Sequence, residues 1–360
     1  MEILSYIFAA FAALGALDKI TGDHFGLGKE FERGILSSGV LTLAMVGMIT
    51  LSPAIAKFLL PVAIPVANFF HFDTSAFVAL LFSNDGGGAS IAKEFCVSEK
   101  WGAYNGLVAC SMVGLTTSFT IPFALKTAPK KYHKEVILGI LCGVITIPLG
   151  LILSAVMLSM PFTETVLNLA PIMIIAGLTC IGLWKAPDGT VKVFSVIGAV
   201  LLVLITLGLG IAFFSYLTKI NVPYTVSLDE SFQTVLSITA VLTGVFPMMY
   251  AVSKILEKPL SKIGKNAGIN NTSVMGIITS SINSIPTLDM IPEMDKKGIV
   301  INMAFAVSGG YVFGDHLAFT MGFNSSYVPA VTAAKVLSAV AAIVLADMVC
   351  KKNKTIQQEV

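Results

Sequence analysis

The side chains with the most chemistry to offer sit in three short stretches of an otherwise apolar chain. Ser83-Asn84-Asp85-Gly86-Gly87-Gly88 sets a hydroxyl, an amide and a carboxylate beside three consecutive glycines. Ser280-Ser281-Ile282-Asn283-Ser284-Ile285-Pro286-Thr287 gathers hydroxyls and a second amide around a proline. Gly309-Gly310-Tyr311-Val312-Phe313-Gly314-Asp315-His316-Leu317 puts an adjacent acid and imidazole inside an apolar run. An anion site would be expected to use arginine, yet Arg33 is the only arginine in the chain. Carboxylates without guanidinium partners point to a small cation, with hydroxyl and amide groups for any polar substituent. The candidate binding residues are Ser83, Asn84, Asp85, Gly86, Ser281, Asn283, Ser284, Asp315 and His316.

Plainer readings stand beside these. Asp85 could instead cap a returning half-helix around Ala89-Ser90-Ile91. Asp315 and His316 could meet water at the outer end of a crossing, or supply a second carboxylate and a titratable hydrogen-bond partner. Tyr104, Tyr311 and Phe313 could offer a ring face to a cation, but core packing is the stronger reading. Lys335 and Asp347 read as packing or snorkelling residues, and Asp289 and Glu293 as solvated groups. The five cysteines are scattered singly, no Cys/His cluster has metal spacing, and no cofactor is expected. There is no His-Glu-x-x-His pair, no phosphate-cradling glycine loop and no nucleophile beside a base, so the chain does not read as an enzyme.

The elements that must position these groups are apolar throughout. Of 360 residues, 55% are apolar and 12% charged, the net charge is +2, and the mean hydropathy is +0.85. Soluble domains carry about 25% charged residues, so this composition excludes disorder and a coiled coil, and the small net charge leaves no basic surplus for nucleic acid. The first apolar run lacks a basic flank, and Asp18-Lys19 follows where a cleavage site would sit, so it reads as a retained helix. Nine runs are long enough to cross a bilayer: 3–18, 35–58, 101–126, 136–160, 165–184, 193–217, 232–256, 298–320 and 327–350. Two further stretches, 74–100 and 272–297, begin apolar and then break at the glycines and at the proline. Broken backbone at membrane depth persists only where protein buries it or where it lines a wet cavity.

The two broken stretches match in order. A shift of 197 or 198 residues lays Thr74-Ser75 on Thr272-Ser273, Asp85 on Asn283, Gly47 on Gly244, and residues 54–59 on 251–256. The expected architecture is an all-α polytopic membrane protein with two inverted repeats. Residues 1–162 form repeat 1 with hairpin 74–100, residues 163–192 a linker helix, and residues 193–360 repeat 2 with hairpin 272–297. Lysine placement favours hairpins over crossings. If both broken stretches cross, the loop Lys and Arg residues divide 11 to 11; if both dip in and return, they divide 18 to 4, as the positive-inside rule prefers. That arrangement sets the N-terminus outside and the C-terminus in the cytoplasm. Two broken tips entering from opposite faces and meeting near the midplane is a layout of secondary transporters.

Several stretches resemble the ethanolamine utilisation protein EutH family of membrane permeases. They are Gly26-Leu27-Gly28-Lys29-Glu30-Phe31-Glu32, Leu43-Ala44-Met45-Val46-Gly47-Met48, Asp85-Gly86-Gly87 with Ala92-Lys93-Glu94, and Asn302-Met303-Ala304-Phe305-Ala306-Val307-Ser308 leading to Gly314-Asp315-His316-Leu317-Ala318-Phe319-Thr320. The resemblance implies uptake of ethanolamine through a bacterial plasma membrane, and the expected mechanism is alternating access, with the two hairpin tips moving as a unit against the other crossings. Its implied partners are the amine, the lipid bilayer and, by analogy with moving-hairpin carriers, a second copy in a homodimer. Asp85 or Asp315 would meet the ammonium, and Ser281, Asn283 or Ser284 the hydroxyl. The competing readings are a passive channel for small amines or cations and a carrier of another small polar solute. Topology reporters fused after Lys352 check the orientation: a fluorescent protein is expected to be bright there and alkaline phosphatase inactive.

Overall fold

The computed structural model describes residues 2–352; Met1 and residues 353–360, Lys354 among them, lie outside the described residues. Every regular element among the described residues is helical. Helix α1 (Glu2–Thr21) precedes α2 (Leu27–Leu41), which continues through a widened turn at Thr42–Val46 into α3 (Gly47–Phe70). A short 3₁₀ stretch (Thr74–Leu80), a glycine turn (Asn84–Gly88) and α4 (Ala89–Phe95) follow. Next, α5 (Glu99–Ala103) runs through π-type turns at Tyr104–Gly114 and Thr116–Thr120 into α6 (Ile121–Thr127). The long rods α7 (His133–Met157), α8 (Phe162–Lys185), α9 (Pro187–Thr218) and α10 (Leu228–Ala267) lead to the short α11 (Asn271–Ile282) and α12 (Ser284–Asp289). The chain closes with α13 (Lys296–Ser308), α14 (Asp315–Asn324) and α15 (Val328–Lys352). Among the described residues eight helices, counting continuous ones together, are long and apolar enough to cross a membrane. The protein is a multi-pass membrane protein.

Side-chain ties fix two opposite ends of the bundle. At one end Lys100 donates to the Ser159 carbonyl, the Tyr327 hydroxyl to the Lys100 carbonyl, and the Trp101 indole to Glu164. At the other, Lys297 pairs with Asp347 and donates to the Ala267 carbonyl. Helix α15 links the two, starting beside Tyr327 and ending past Asp347, a length of roughly 37 Å at 1.5 Å per residue. Asp347, which also pairs with Lys351, is thus a surface ion-pair residue.

A carboxylate fastens the base of each broken stretch. Asp73 accepts from Ser75, where the first stretch begins, and from the Val97 and Ser98 amides, where it ends. Asp295 accepts from Asn270 and Ser273 at the start of the second stretch and from Gly298, capping α13, at its end. The chain therefore leaves and returns at one place in both cases. Each limb is shorter than a full crossing.

The structure corrects the reading of 298–320 as an uninterrupted crossing. Helix α13 stops at Ser308, the chain loops through residues 309–314 with Tyr311 at φ 62°, and α14 starts afresh at Asp315. Isolated glycines are common in membrane helices, so the apolar run alone conceals the break. The freed backbone groups are satisfied reciprocally: Tyr311 N–H donates to the Ser280 carbonyl and Phe313 N–H to the Ser281 carbonyl, both 2.8 Å. Those carbonyls belong to the last turn of α11, which has no intrahelical partner for them.

Glycines permit the closest helix approaches. A Cβ on Gly208 of α9 would collide with the Gly47 carbonyl of α3, and one on Gly244 of α10 with the Phe8 carbonyl of α1. Gly208 thus serves helix packing, whereas Gly210, two residues on, faces nothing within 4 Å. A Cβ on Gly314 would strike the Ile282 carbonyl. Gly314→Ala is expected to cost about 1–3 kcal/mol, as overpacking does, and to lower the melting temperature of the purified protein; Gly210→Ala is expected to leave it unchanged.

Candidate functional site

The first glycine turn is built by Ser83 and Gly87. The Ser83 hydroxyl accepts from Gly86 N–H at 3.0 Å, its carbonyl accepts from Gly88 N–H at 2.9 Å, and Gly87 takes φ 95°, a left-handed value that disfavours side chains. A Cβ on Gly87 would also press on the Met48 side chain. The capping role considered for Asp85 thus falls to Ser83 at this turn, and α4 itself has no side-chain cap. Asp85 is left to point at α14, with Oδ1 3.8 Å from His316 Nε2. Asn84 is fully buried, and neither end of its amide has a hydrogen-bond partner among the described residues.

The second turn is built by Asn283. Its backbone is extended (φ −152°, ψ 124°), its Oδ1 accepts from Ile285 N–H at 2.9 Å to start α12, and its Nδ2 donates to Asp315 Oδ2 at 3.3 Å. The two neighbouring serines spend their hydroxyls inside the turn: Ser281 donates to the Ile278 carbonyl, and Ser284 pairs with Ser280 at 2.7 Å. They hold the backbone rather than present free donors. Gly86 likewise lends its amide to Ser83.

Asp315 and His316 stand between the turns. As consecutive residues on the first turn of α14 they project about 100° apart, Asp315 toward Asn283 and His316 toward Asp85. The reading that places both at a wet helix end fails for His316, which is completely buried, stacked on Tyr311 at 5.1 Å, and without a hydrogen-bond partner for either ring nitrogen among the described residues. Tyr311 accordingly serves His316 as a stacking platform. Tyr104 is a core residue whose hydroxyl donates to the Leu151 carbonyl, with Trp101 edge-on to its ring.

Sequence reasoning missed Lys335. Rather than snorkel, it is wholly buried, donates to the Ser111 carbonyl at 2.6 Å, and lies within electrostatic reach of Asp85 and His316. A lone lysine at the centre of a membrane helix costs about 3 kcal/mol on insertion scales, so a nearby carboxylate is its natural company. The signal was its position: Lys335 is seven residues inside α15, roughly 10 Å from that end, beyond the comfortable reach of a snorkelling side chain. The cluster then holds two carboxylates, one lysine and one imidazole, a formal charge of −1 with neutral histidine.

Two cavities open on the elements that carry this cluster, though neither is lined by Asp85, Asp315, His316 or Lys335. One of about 510 Å³ is lined by Ala89, Lys93, Cys96, Glu99, Phe323 and Asn324, along α4 and the end of α14. A smaller one, about 160 Å³, runs past Glu30, Arg33, Tyr250 and Thr279 to Asn283. Arg33 is paired with Glu30 at 3.2 Å and lies over the Phe246 ring at 4.8 Å. Among the described residues no group of three or more metal-ligating side chains occurs.

The chain matches the family described as ethanolamine utilisation protein, EutH, over residues 1–349. It is 38% identical to the probable ethanolamine permease EutH of Listeria monocytogenes, across 99% of this chain and 97% of that protein. To the proteins of the same name from Salmonella typhimurium and Escherichia coli it is 32% and 33% identical, covering 97% and 96% of their lengths. No solved structure matches it. A whole-length family match, with the Asp85 turn and the Asn302–Ser308 and Gly314–Thr320 stretches all within it, makes this chain a member of the EutH family.

Proposed function

We propose that the protein is a carrier that takes up ethanolamine as its ammonium ion by alternating access. One observation carries the reading: consecutive residues of α14 reach the two broken turns, Asp315 to Asn283 and His316 to Asp85, inside a cluster of net negative formal charge. Relatives named as probable ethanolamine permeases support the substrate. Ethanolamine offers one ammonium and one hydroxyl. Asp85 and Asp315 would take the ammonium, and Asn84, Asn283 and the His316 ring the hydroxyl, with Ser83, Gly86, Ser281 and Ser284 shaping the two turns.

In this reading the stretches 74–100 and 272–297 are re-entrant hairpins of two inverted repeats. Matched contacts support the repeat. Asn105 donates to the Ser75 hydroxyl, and Asn302, 197 positions later, donates to the Ser273 carbonyl. Gly47 meets α9 where Gly244 meets α1, and Gly114 lies against the Phe82 carbonyl where Gly314 lies against that of Ile282. The hairpin with Asp85 opens to the outside and its mate to the cytoplasm, following the lysine distribution. A homodimer plays no part in the reading, since every group named belongs to one chain.

Vesicles containing the protein are expected to show saturable uptake of labelled ethanolamine with counterflow; linear uptake without counterflow would mean a passive channel instead. Asp85→Asn and Asp315→Asn are each expected to slow uptake by at least about tenfold, the effect of losing one charge-assisted contact of about 1.5 kcal/mol or more. Wild-type rates in both variants would remove these carboxylates from the site. His316→Phe keeps a ring to stack on Tyr311 and removes two buried unpartnered nitrogens, each costly to desolvate. It is expected to raise or preserve the melting temperature while lowering uptake, a split that a purely structural histidine would not give.

A further inference from the structure

The smaller of the two cavities is a groove between α2, α10 and α11. Its volume is about 160 Å³, roughly five times the ~30 Å³ that one water occupies in the liquid. That is room for an amine of a few heavy atoms. Met275, Thr279 and Ile282 line it at helical spacing, so it follows one face of α11 down to Asn283 at the end of that helix. The Asn283 amide donates to Asp315 at 3.3 Å. The inner end of the groove is therefore one hydrogen bond away from a carboxylate proposed above to take the substrate. A cation released from Asp315 past the Asn283 turn enters this groove.

The facing wall already holds a cation. Phe246 and Tyr250, about one turn apart on α10, line the groove together with Glu30 and Arg33 of α2. The Arg33 guanidinium lies 4.8 Å from the centre of the Phe246 ring and donates to Glu30 Oε2 at 3.2 Å. Tyr250 has a cation over its ring as well, the Lys254 ammonium at 5.6 Å. A carboxylate beside an aromatic face is the chemistry that receives an ammonium ion. The ring attracts a cation within about 6 Å of its centroid, and the acid supplies the opposite charge. Arg33, the only arginine in the chain, commits its charge to this seat. Its hold is weak: its side chain is 47% exposed and that of Glu30 22%, and wetted ion pairs at i,i+3 spacing contribute little. A small ammonium can take its place and leave Glu30 paired throughout.

Resting on the ethanolamine reading, we propose that Glu30 and the Phe246 ring form a second ammonium site on the way out to the cytoplasm, with Arg33 as its tethered occupant, displaced by each amine that passes. The amine arrives from the Asn283 end of the groove, and the half-exposed guanidinium swings into water on its flexible stem. Once the amine has left, Arg33 returns to the ring. The exchange needs no helix to move, and Glu30 keeps a cation at every stage. With Arg33 seated, the groove shows a fixed positive charge to amines approaching from the cytoplasm, which disfavours their return. The site takes a small primary ammonium ion, since the groove is narrow and its anchors are one acid and one ring.

The test uses the full-length protein in lipid nanodiscs and titration calorimetry with ethanolamine. The wild type is expected to bind one amine per chain, because Arg33 fills the second seat. Arg33→Gln is expected to bind two, and Arg33→Gln combined with Glu30→Gln to return to one. Arg33→Ala serves the same purpose where Arg33→Gln does not fold. A stoichiometry of one in the Arg33 variant overturns the second site, as does a second amine that persists without Glu30, or a wild type that already takes two. Uptake into vesicles ties the site to passage. Glu30→Gln alone is expected to slow uptake by about threefold or more, the loss of one partly exposed charge contact; wild-type uptake in that variant overturns the exit role. Absence of any ethanolamine binding by the wild type would instead overturn the substrate reading itself.

Discussion

Everything in the site depends on keeping Asp85, Lys335, His316 and Asp315 charged or polar in an interior that penalises each of them singly. Burial of one ion costs several kcal/mol after relaxation, and only opposed neighbours offset it. Asp85 lies 3.8 Å from His316 and within electrostatic reach of Lys335, and Asp315 takes the Asn283 amide. The arrangement works only if four chain segments arrive at one depth: the glycine turn, the Asn283 turn, the start of α14 and the first half of α15. The remainder of the bundle can be understood as what brings them there.

Backbone satisfaction is the second constraint, and the structure meets it by pairing one break with another. The amides of Tyr311 and Phe313 answer the last carbonyls of α11, while Thr117 donates its hydroxyl to the Leu80 carbonyl at the end of the 3₁₀ limb. Neither break would be tolerable alone in hydrocarbon. Gly114 and Gly314 allow the paired segments to approach, since a single methyl group at either would strike the Phe82 or the Ile282 carbonyl.

Much of this could be read in the residues. Three glycines after Asp85, and the proline and hydroxyl residues after Ile282, mark helix interruptions by composition alone, and both interruptions are present. The asymmetry of lysines favours segments that go in and come back, an expectation carried into the proposed function. What stayed hidden has physical reasons. The interruption at 309–314 lies between two apolar stretches and holds Val312 and Phe313 itself, and glycines are common enough in membrane helices that Gly309, Gly310 and Gly314 do not by themselves mark a break. The depth of Lys335 depends on which face of α15 turns inward, and that helix is apolar nearly all round, so no stripe points the way. The serines at 281 and 284 looked like ligands because sequence cannot tell a hydroxyl spent on its own helix from one left open.

The fastening at the base of each broken stretch carries a mechanical consequence. Because Asp73 ties together the two ends of the first stretch, and Asp295 those of the second, neither can splay at its root like a pair of tweezers. Any displacement of either stretch would have to be taken up by the links just outside the clasp, where the left-handed His71 and Gly268 stand, the latter with open space where a side chain would be. Rigidity at the root would pass a small rotation there, undiminished, to the turn at the far end.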